Sequence, residues 1–134
     1  MAQPREDEAC IEVSSGEGKH RVTSIGILTK EGVVVCVFGG EKPHVGSLAL
    51  GIPRPSLRSP TEVSATSSVI NLVGHKDDEI ARPVAEKFAR ELQQVTAVIA
   101  GVHIDNASED DIARLLDNSN RASEMLLNKM KRRL

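Results

Sequence analysis

The chain has 134 residues, enough for one domain with a buried core, and a formal net charge of −2. It contains two Phe but no Tyr or Trp, so it lacks both the basic field and the aromatic faces that nucleic-acid-binding proteins usually present. The longest apolar run, Val33 to Phe38, is too short to span a bilayer. We therefore expect neither nucleic acid nor a membrane as a partner.

The N-terminus and the cysteines indicate a cytoplasmic protein. The opening MAQPREDEAC contains no apolar run of the kind found in signal peptides. Cys10 and Cys36 do not form a CxxC pair, and Cys36 lies in an apolar strand pattern, where a free thiol behaves as a small hydrophobic group. We predict a flexible tail over residues 1–8 and a single domain over residues 9–134.

The first half of the chain has the pattern of five strands joined by turns. The run VVVCVF (33–38) is apolar throughout, so we expect this third strand to lie at the centre of the sheet, covered on both faces. The segment PRPSLRSP (53–60) contains three prolines and is predicted to be a loop. The predicted strands are 9–15, 20–30, 33–38, 46–52 and 62–73.

The pattern then becomes helical. Asp77 or Asp78 is expected to cap a first helix, and a sixth strand is predicted over 95–104. Ser108 and Asp111 have the spacing of a capping box and begin a second helix. We expect NSN (118–120) to interrupt or end that helix before an amphipathic pattern continues to the C-terminus. The predicted buried residues are Ile80, Ala81, Val84, Ala85, Phe88 and Leu92 in the first helix, then Ile112, Leu115 and Leu116 in the second, with Met125, Leu126 and Met130 in the continuation.

These elements predict an α/β fold in which helices pack on a sheet, that is, an α+β sandwich. Its sheet is mixed and largely an antiparallel meander, with a β-α-β crossover and C-terminal helices. In such a sheet strands one, three, five and six run in the same direction, so their carboxyl ends share one edge. His20, His44, His75 and His103 all lie at or just after those ends, and we expect them on one rim.

The segment GGEKPHVG (39–46) has two interpretations. Gly39 and Gly40 would let the backbone approach an anion closely, with Lys42 supplying positive charge. Alternatively, the glycines only permit a turn between strands that Pro43 stiffens. The segment leads into a strand and matches neither a dinucleotide-binding fingerprint nor a P-loop.

The other two rim segments are equally open. In GHKDDE (74–79) the helix N-terminus, His75 and Lys76 would suit an anion, whereas capping by Asp77 or Asp78 is the structural alternative. His103 in GVHIDN (101–106) is either a ligand-facing or a structural histidine. Asp105 would orient a ligand or only turn the chain.

Three histidines on one rim also raise a metal hypothesis. His44, His75 and His103 would form an open three-histidine zinc site, and a small His-dependent enzyme, metal-assisted in one version, is an alternative function. No HxH or HExxH spacing supports it. A third hypothesis is an assembly chaperone that acts only through protein contacts. Strands that are apolar on both faces favour a homodimer or a higher homo-oligomer.

Three segments taken in order, GGEKPHVGSLALG, GHKDDEIARPVAEKFA and VIAGVHIDNAS, resemble the LpdD-like family, whose members are related to a small component of gallate decarboxylase and are described as prenylated-flavin chaperones. The resemblance covers roughly residues 20 to 130. The matching residues are Gly40, Lys42, Pro43, His44 and Gly46, then Gly74, His75, Lys76 and Asp77, then Gly101, His103 and Asp105.

The resemblance implies an accessory protein rather than an enzyme. Such proteins are associated with UbiD-type decarboxylases, which use prenylated FMN, so the expected cargo is prenylated FMN or FMN and the expected partner is the decarboxylase itself. The implied fold is the sheet-and-helix fold of proteasome assembly chaperones. The resemblance carries over no catalytic residues. The expected flavin-binding residues are Gly39, Gly40, Lys42, Pro43, His44, Gly46, Gly74, His75, Lys76, His103 and Asp105.

Overall fold

A computed structural model of the chain describes residues 10–72 and 77–134. The tail predicted over residues 1–8 lies outside the described residues. The described part contains a short 3₁₀ turn at Gly18–His20, six strands and two α-helices. These elements are β1 (Cys10–Ser15), β2 (Val22–Thr29), β3 (Gly32–Gly40), β4 (Ser47–Pro55), β5 (Val63–Asn71), α1 (Asp78–Leu92), β6 (Thr96–His103) and α2 (Glu109–Lys131). None of its helices is long and apolar enough to cross a membrane.

The strands form one sheet in the order β1-β2-β3-β6-β4-β5. β6 pairs parallel to β3, and the other neighbours are antiparallel. This confirms the mixed, largely antiparallel sheet with a crossover through α1. The five-strand meander is not continuous, however, because β6 inserts between β3 and β4. β6 is almost entirely apolar, and the central position gives it a hydrogen-bonding neighbour on each side and avoids an exposed apolar edge.

Both helices pack on the same face of the sheet. α1 covers β4, β5 and β6, while α2 covers β1, β2 and β3. The predicted stripe of α1 from Ile80 to Leu92 is buried as expected, with Phe88 at its centre. Burial of this stripe against the sheet supplies most of the stability of such a helix, since propensity alone is marginal at this length.

The central position predicted for β3 is confirmed, but the prediction that both its faces are covered is wrong. Val33, Val35 and Val37 are buried beneath α2, whereas Val34 and Cys36 on the opposite side are only partly buried. Because both helices pack on one face, nothing in the described residues covers the other. We call this uncovered side of the sheet the open face.

The loop predicted over 53–60 is wrong at its start, because β4 continues through Pro53 to Pro55 in register with β5. β6 pairs with β4 only as far as Gly51. Beyond Gly51 one side of β4 therefore has no neighbouring strand, and a proline without an N–H group can be accommodated there.

The interruption of α2 predicted at residues 118–120 is also wrong, because the helix is continuous. The Ser119 hydroxyl donates to the Leu115 carbonyl at 2.7 Å, and the Asn118 amide donates to the His20 carbonyl at 2.7 Å. These polar side chains therefore have partners within the helix and across the fold. The capping box of Ser108 and Asp111 is confirmed.

Two residues of the stripe predicted for α2 and its continuation are not buried. Ile112 and Met125 are exposed, whereas Leu115, Leu126 and Met130 are buried and Leu116 is partly buried.

Candidate functional site

The loop 41–46 folds back across the carboxyl end of β6. The backbone N–H groups of Glu41 and Lys42 donate to the His103 carbonyl, at 2.8 and 3.2 Å, and that of Gly46 donates to the Ala100 carbonyl at 3.0 Å. GGEKPHVG is therefore held against the neighbouring strand. This contact brings the first and third of the three sequence segments together.

Two glycines make the close approach possible. Gly40 has a φ of 81°, and a side chain there would overlap the His103 carbonyl. A side chain at Gly101 would overlap the His44 carbonyl. In both cases the space that a Cβ would occupy is filled by protein atoms, so these glycines shape the loop by packing within the chain.

His44, in this loop, and Asp77 form a partly buried pair, the His44–Asp77 pair. His44 Nε2 lies 3.1 Å from Asp77 Oδ2, and Asp77 Oδ1 accepts from the Val102 N–H at 3.1 Å. Asp77 is only 6% exposed. Its carboxylate thus connects the start of α1 to both the loop and β6, which joins all three sequence segments.

The prediction that the Asp77 side chain caps α1 with a hydrogen bond is wrong. Asp77 occupies the N-cap position of α1, but its side chain makes no capping hydrogen bond. Helical spacing identified the position, and nothing in the local pattern showed that the carboxylate turns towards His44.

The hydrogen-bond partners of His44 constrain its protons. Nδ1 donates to the Lys42 carbonyl at 2.9 Å, because a carbonyl oxygen can only accept. Nε2 faces a carboxylate of Asp77. These two contacts hold the imidazole ring between the loop backbone and the start of α1.

Lys42, His103 and Asp105 form a second group, the exposed cluster. Asp105 accepts from Lys42 Nζ at 2.8 Å and from His103 Nε2 at 2.9 Å. The hydrogen bond from Lys42, and then that from His103, holds the pKa of Asp105 below its usual value, and Asp105 in turn raises the pKa of Lys42. Pairs this exposed contribute little to stability and remain accessible to a ligand.

The His44–Asp77 pair and the exposed cluster are adjacent. The rings of His44 and His103 meet edge to face, with centroids 6.2 Å apart. The predicted convergence of these two histidines on one rim is therefore confirmed. Within one small region the rim offers N–H donors, two carboxylates and a lysine.

A cleft of about 320 Å³ opens beside these groups, between the N-terminal ends of α1 and α2 and the end of β6. Most of its lining is aliphatic, and His103 and Asp77 form part of its wall. We call it the rim cleft. Its lining residues are Asp77, Glu79, Ile80, Val102, His103, Ile104, Ala107, Ile112, Leu115 and Leu116.

The rim cleft was missed from the sequence. Ile112 was assigned to the buried stripe of α2, but it is 49% exposed at this cleft. Helical periodicity cannot distinguish a residue that packs on the sheet from one that lines a gap between two helix ends. The exposure of Ile112 indicates the cleft, and this exposure is visible only in the folded structure.

His20 reaches the same edge but serves another contact. Its Nε2 lies 2.7 Å from Asp111 Oδ1, in the first turn of α2. The backbone hydrogen bond from Ser108, followed by the bond from His20, lowers the pKa of Asp111 strongly. His20 thus anchors α2 rather than joining His44.

The remaining predicted residues divide between packed and undescribed positions. Gly39 packs against β2, Gly46 lies against Asp77, and Pro43 is exposed in the loop. Gly74, His75 and Lys76 lie outside the described residues. The three-histidine zinc hypothesis depends on His75. Within residues 10–72 and 77–134, no three His, Cys, Asp or Glu side chains are grouped as metal ligands.

Comparison with known proteins showed similarity to a protein family and to solved structures. Residues 16–131 match the family described as prenylated flavin chaperone LpdD-like domain. The fold is similar to a chain in the crystal structure of a chaperone complex for yeast 20S proteasome assembly, with a TM-score of 0.56 and 20% identity over 94% of this chain and 98% of that chain. That similarity confirms the expected fold. Comparison with curated protein sequences gave no match.

Proposed function

Because this chain belongs to the prenylated flavin chaperone LpdD-like family, we propose that it binds prenylated FMN and supplies it to a UbiD-type decarboxylase, or assists maturation of that enzyme, in the cytoplasm. The family supports an accessory role. The ligand, its site and the identity of the partner are the proposal.

The rim cleft is the observation that carries the proposal. Its volume of about 320 Å³ lies at the lower end of the range for ligand pockets, roughly 300–1,000 Å³. A cleft of that size suits the fused ring system of a flavin better than the whole nucleotide. We therefore place the ring system in the cleft and the ribityl phosphate outside it.

The lining fits an apolar ring system. Ile80, Val102, Ile104 and Leu116 supply aliphatic surface, which suits the extra hydrocarbon ring that distinguishes prenylated FMN from FMN. The chain has no Tyr or Trp to stack on a flavin, so aliphatic contacts must replace stacking. His103 and Asp77 form a polar part of the wall, and the polar edge of the ring would face them.

The exposed cluster suits the phosphate. Lys42 and His103 both present N–H donors to solvent, but both are hydrogen-bonded to Asp105. A phosphate would have to replace the Asp105 carboxylate on Lys42. Binding would then exchange one anion for another on the same lysine, which favours reversible loading over very tight retention.

The test is a calorimetric titration of the purified protein with FMN and with prenylated FMN. Ile112→Glu places a charge at the cleft and should weaken binding by on the order of 10-fold or more, because the carboxylate must lose its hydration next to an anionic ligand. Met125→Glu, at a similarly exposed site on the same helix, is the matched control. No affinity of the folded wild-type protein for either flavin would refute the proposal.

A second experiment separates flavin delivery from assembly through protein contacts alone. The decarboxylase is produced with the wild-type chain, with Ile112→Glu or without the chain, and its flavin content is measured. Delivery predicts that Ile112→Glu leaves the decarboxylase deficient in prenylated FMN. Equal loading with wild type and Ile112→Glu would favour a purely protein-contacting chaperone.

A further inference from the structure

The open face of the sheet is unusually apolar for a surface that nothing in the described residues covers. The strand registers place alternate residues of each strand on it. Five large aliphatic side chains on it are each about 40% exposed or more. The apolar residues of the open face are Cys10, Ile25, Ile27, Val34, Cys36, Phe38, Leu48, Leu50, Ile52, Ile70, Ala97 and Ile99.

The side chains in the middle of the open face carry no charge. Those of β3 up to Phe38 and of β6 up to Ile99 on this side are apolar, and the charged residues of the face lie towards its margins, at Glu12 on β1 and Arg54 near the end of β4. An uncharged surface of this kind can meet its own copy without repulsion between like charges. A charged partner would find no complementary group at its centre.

The size of the open face matches what a dimer needs. Six strands spaced about 4.8 Å apart, with three outward residues each at a repeat of about 6.8 Å, give roughly 29 by 20 Å, or about 600 Å² per copy. Two copies would bury about 1,200 Å² of flat area, and the uneven surface of the side chains adds to this value. The total therefore reaches the range of specific interfaces. Most of the apolar side chains lie on four of the six strands, so the apolar part of the face is about 400 Å² per copy, in the range of the largest patches on monomers, which are often functional.

We propose that the open face is the interface of a homodimer, in which the sheets of two copies pack face to face as the two layers of a β-sandwich. The helices then form the outer layers of a four-layer assembly. This proposal is independent of flavin binding, because the rim cleft lies between the helix ends on the other side of the sheet.

The proposal is tested by sedimentation velocity over a range of protein concentrations. The wild-type chain is expected to sediment as a dimer, and Leu50→Glu should weaken dimerisation by on the order of 100-fold, because it buries an unpaired charge in each copy. Met125→Glu is again the control, since Met125 and Leu50 are 44% and 41% exposed on opposite sides of the sheet. Ile27→Lys provides a second variant at another position on the open face.

A thiol measurement locates the contact. Cys36 lies on the open face, so in a Cys10→Ser background its reaction with a bulky disulfide reagent should slow as protein concentration rises. That dependence should disappear with Leu50→Glu. A monomeric wild-type chain would overturn the proposal and leave the face to a partner of another sequence. A dimer that Leu50→Glu and Ile27→Lys do not weaken would overturn it equally, because the interface would then lie elsewhere.

Discussion

Replacing Asp77 tests whether one carboxylate holds the three segments of the rim together. Asp77→Ala removes the acceptor of the Val102 N–H and the partner of His44 Nε2. Loss of a hydrogen bond with one charged partner costs about 1–2 kcal/mol at a partly buried site. Two such bonds give an expected loss of about 2–4 kcal/mol, a large part of the roughly 5–15 kcal/mol that stabilises a domain.

Asp77→Asn should cost much less, below about 1 kcal/mol. The amide oxygen can still accept from the Val102 N–H, and the amide nitrogen can donate to His44 Nε2 while His44 Nδ1 donates to the Lys42 carbonyl. All three hydrogen bonds are then satisfied with a neutral imidazole. The comparison therefore separates the geometry of the hydrogen bonds from the charge of the carboxylate.

The assay is urea denaturation followed by far-ultraviolet circular dichroism, because the chain has no Trp or Tyr to report unfolding. Asp78→Ala is the matched control. It removes the neighbouring carboxylate, which lies in the first turn of α1, and should cost only the helix-dipole contribution of about 0.3–1 kcal/mol. If Asp77→Ala costs no more than Asp78→Ala, or if Asp77→Asn is as damaging as Asp77→Ala, the reasoning is refuted.

Three further predictions concern charge and capping. Lys42→Ala should weaken FMN binding and Asp105→Asn should strengthen it, because Asp105 competes with a phosphate for Lys42. Calorimetric titration measures both effects, and Lys131→Ala, which removes an ion pair between α2 and Glu91 of α1, is the control. Tighter FMN binding by Lys42→Ala would contradict this prediction. Asp111→Asn should lower the free energy of unfolding at pH 7. Because the pKa of Asp111 is lowered in the folded protein, the stability difference from wild type should become smaller as the pH falls below about 4, where the carboxylate of the unfolded chain takes up a proton. A stability difference that stays constant in urea denaturation from pH 7 to pH 3 would refute this prediction. Ser108→Ala removes the N-cap acceptor of α2 and should cost about 1 kcal/mol in the same assay, whereas an unchanged midpoint would show that the cap is dispensable.

Much of the secondary structure was predictable because it depends on local periodicity. Apolar, β-branched runs bounded by turn residues identified the strands, and a four-residue repeat from Ile80 to Leu92 identified α1. Strand directions followed from the order of turns and one crossover helix, so His44 and His103 were correctly placed on one rim. The capping box at Ser108 was predictable for the same reason, since both of its partners lie within one turn.

The errors occurred where a distant contact overrides a local preference. Asn118 and Ser119 would favour a helix end, but the Asn118 amide has a partner in His20, far away in the chain. Pro53 would end a strand, but β4 loses its β6 neighbour after Gly51 and tolerates it. Local propensity is worth less than a kilocalorie or so per residue, and a satisfied tertiary contact outweighs it.

The candidate site shows the same division. The sequence alone determined which residues have unusual chemistry and which edge of the sheet they share, because those properties follow from residue type and strand direction. Only the tertiary structure decided that the Asp77 carboxylate turns away from capping to join His44 and Val102, that Ile112 lines a cleft, and that both helices leave one face of the sheet open. Each of these depends on which groups from distant parts of the chain compete for the same partner or the same surface, and that competition is resolved only when the whole domain packs.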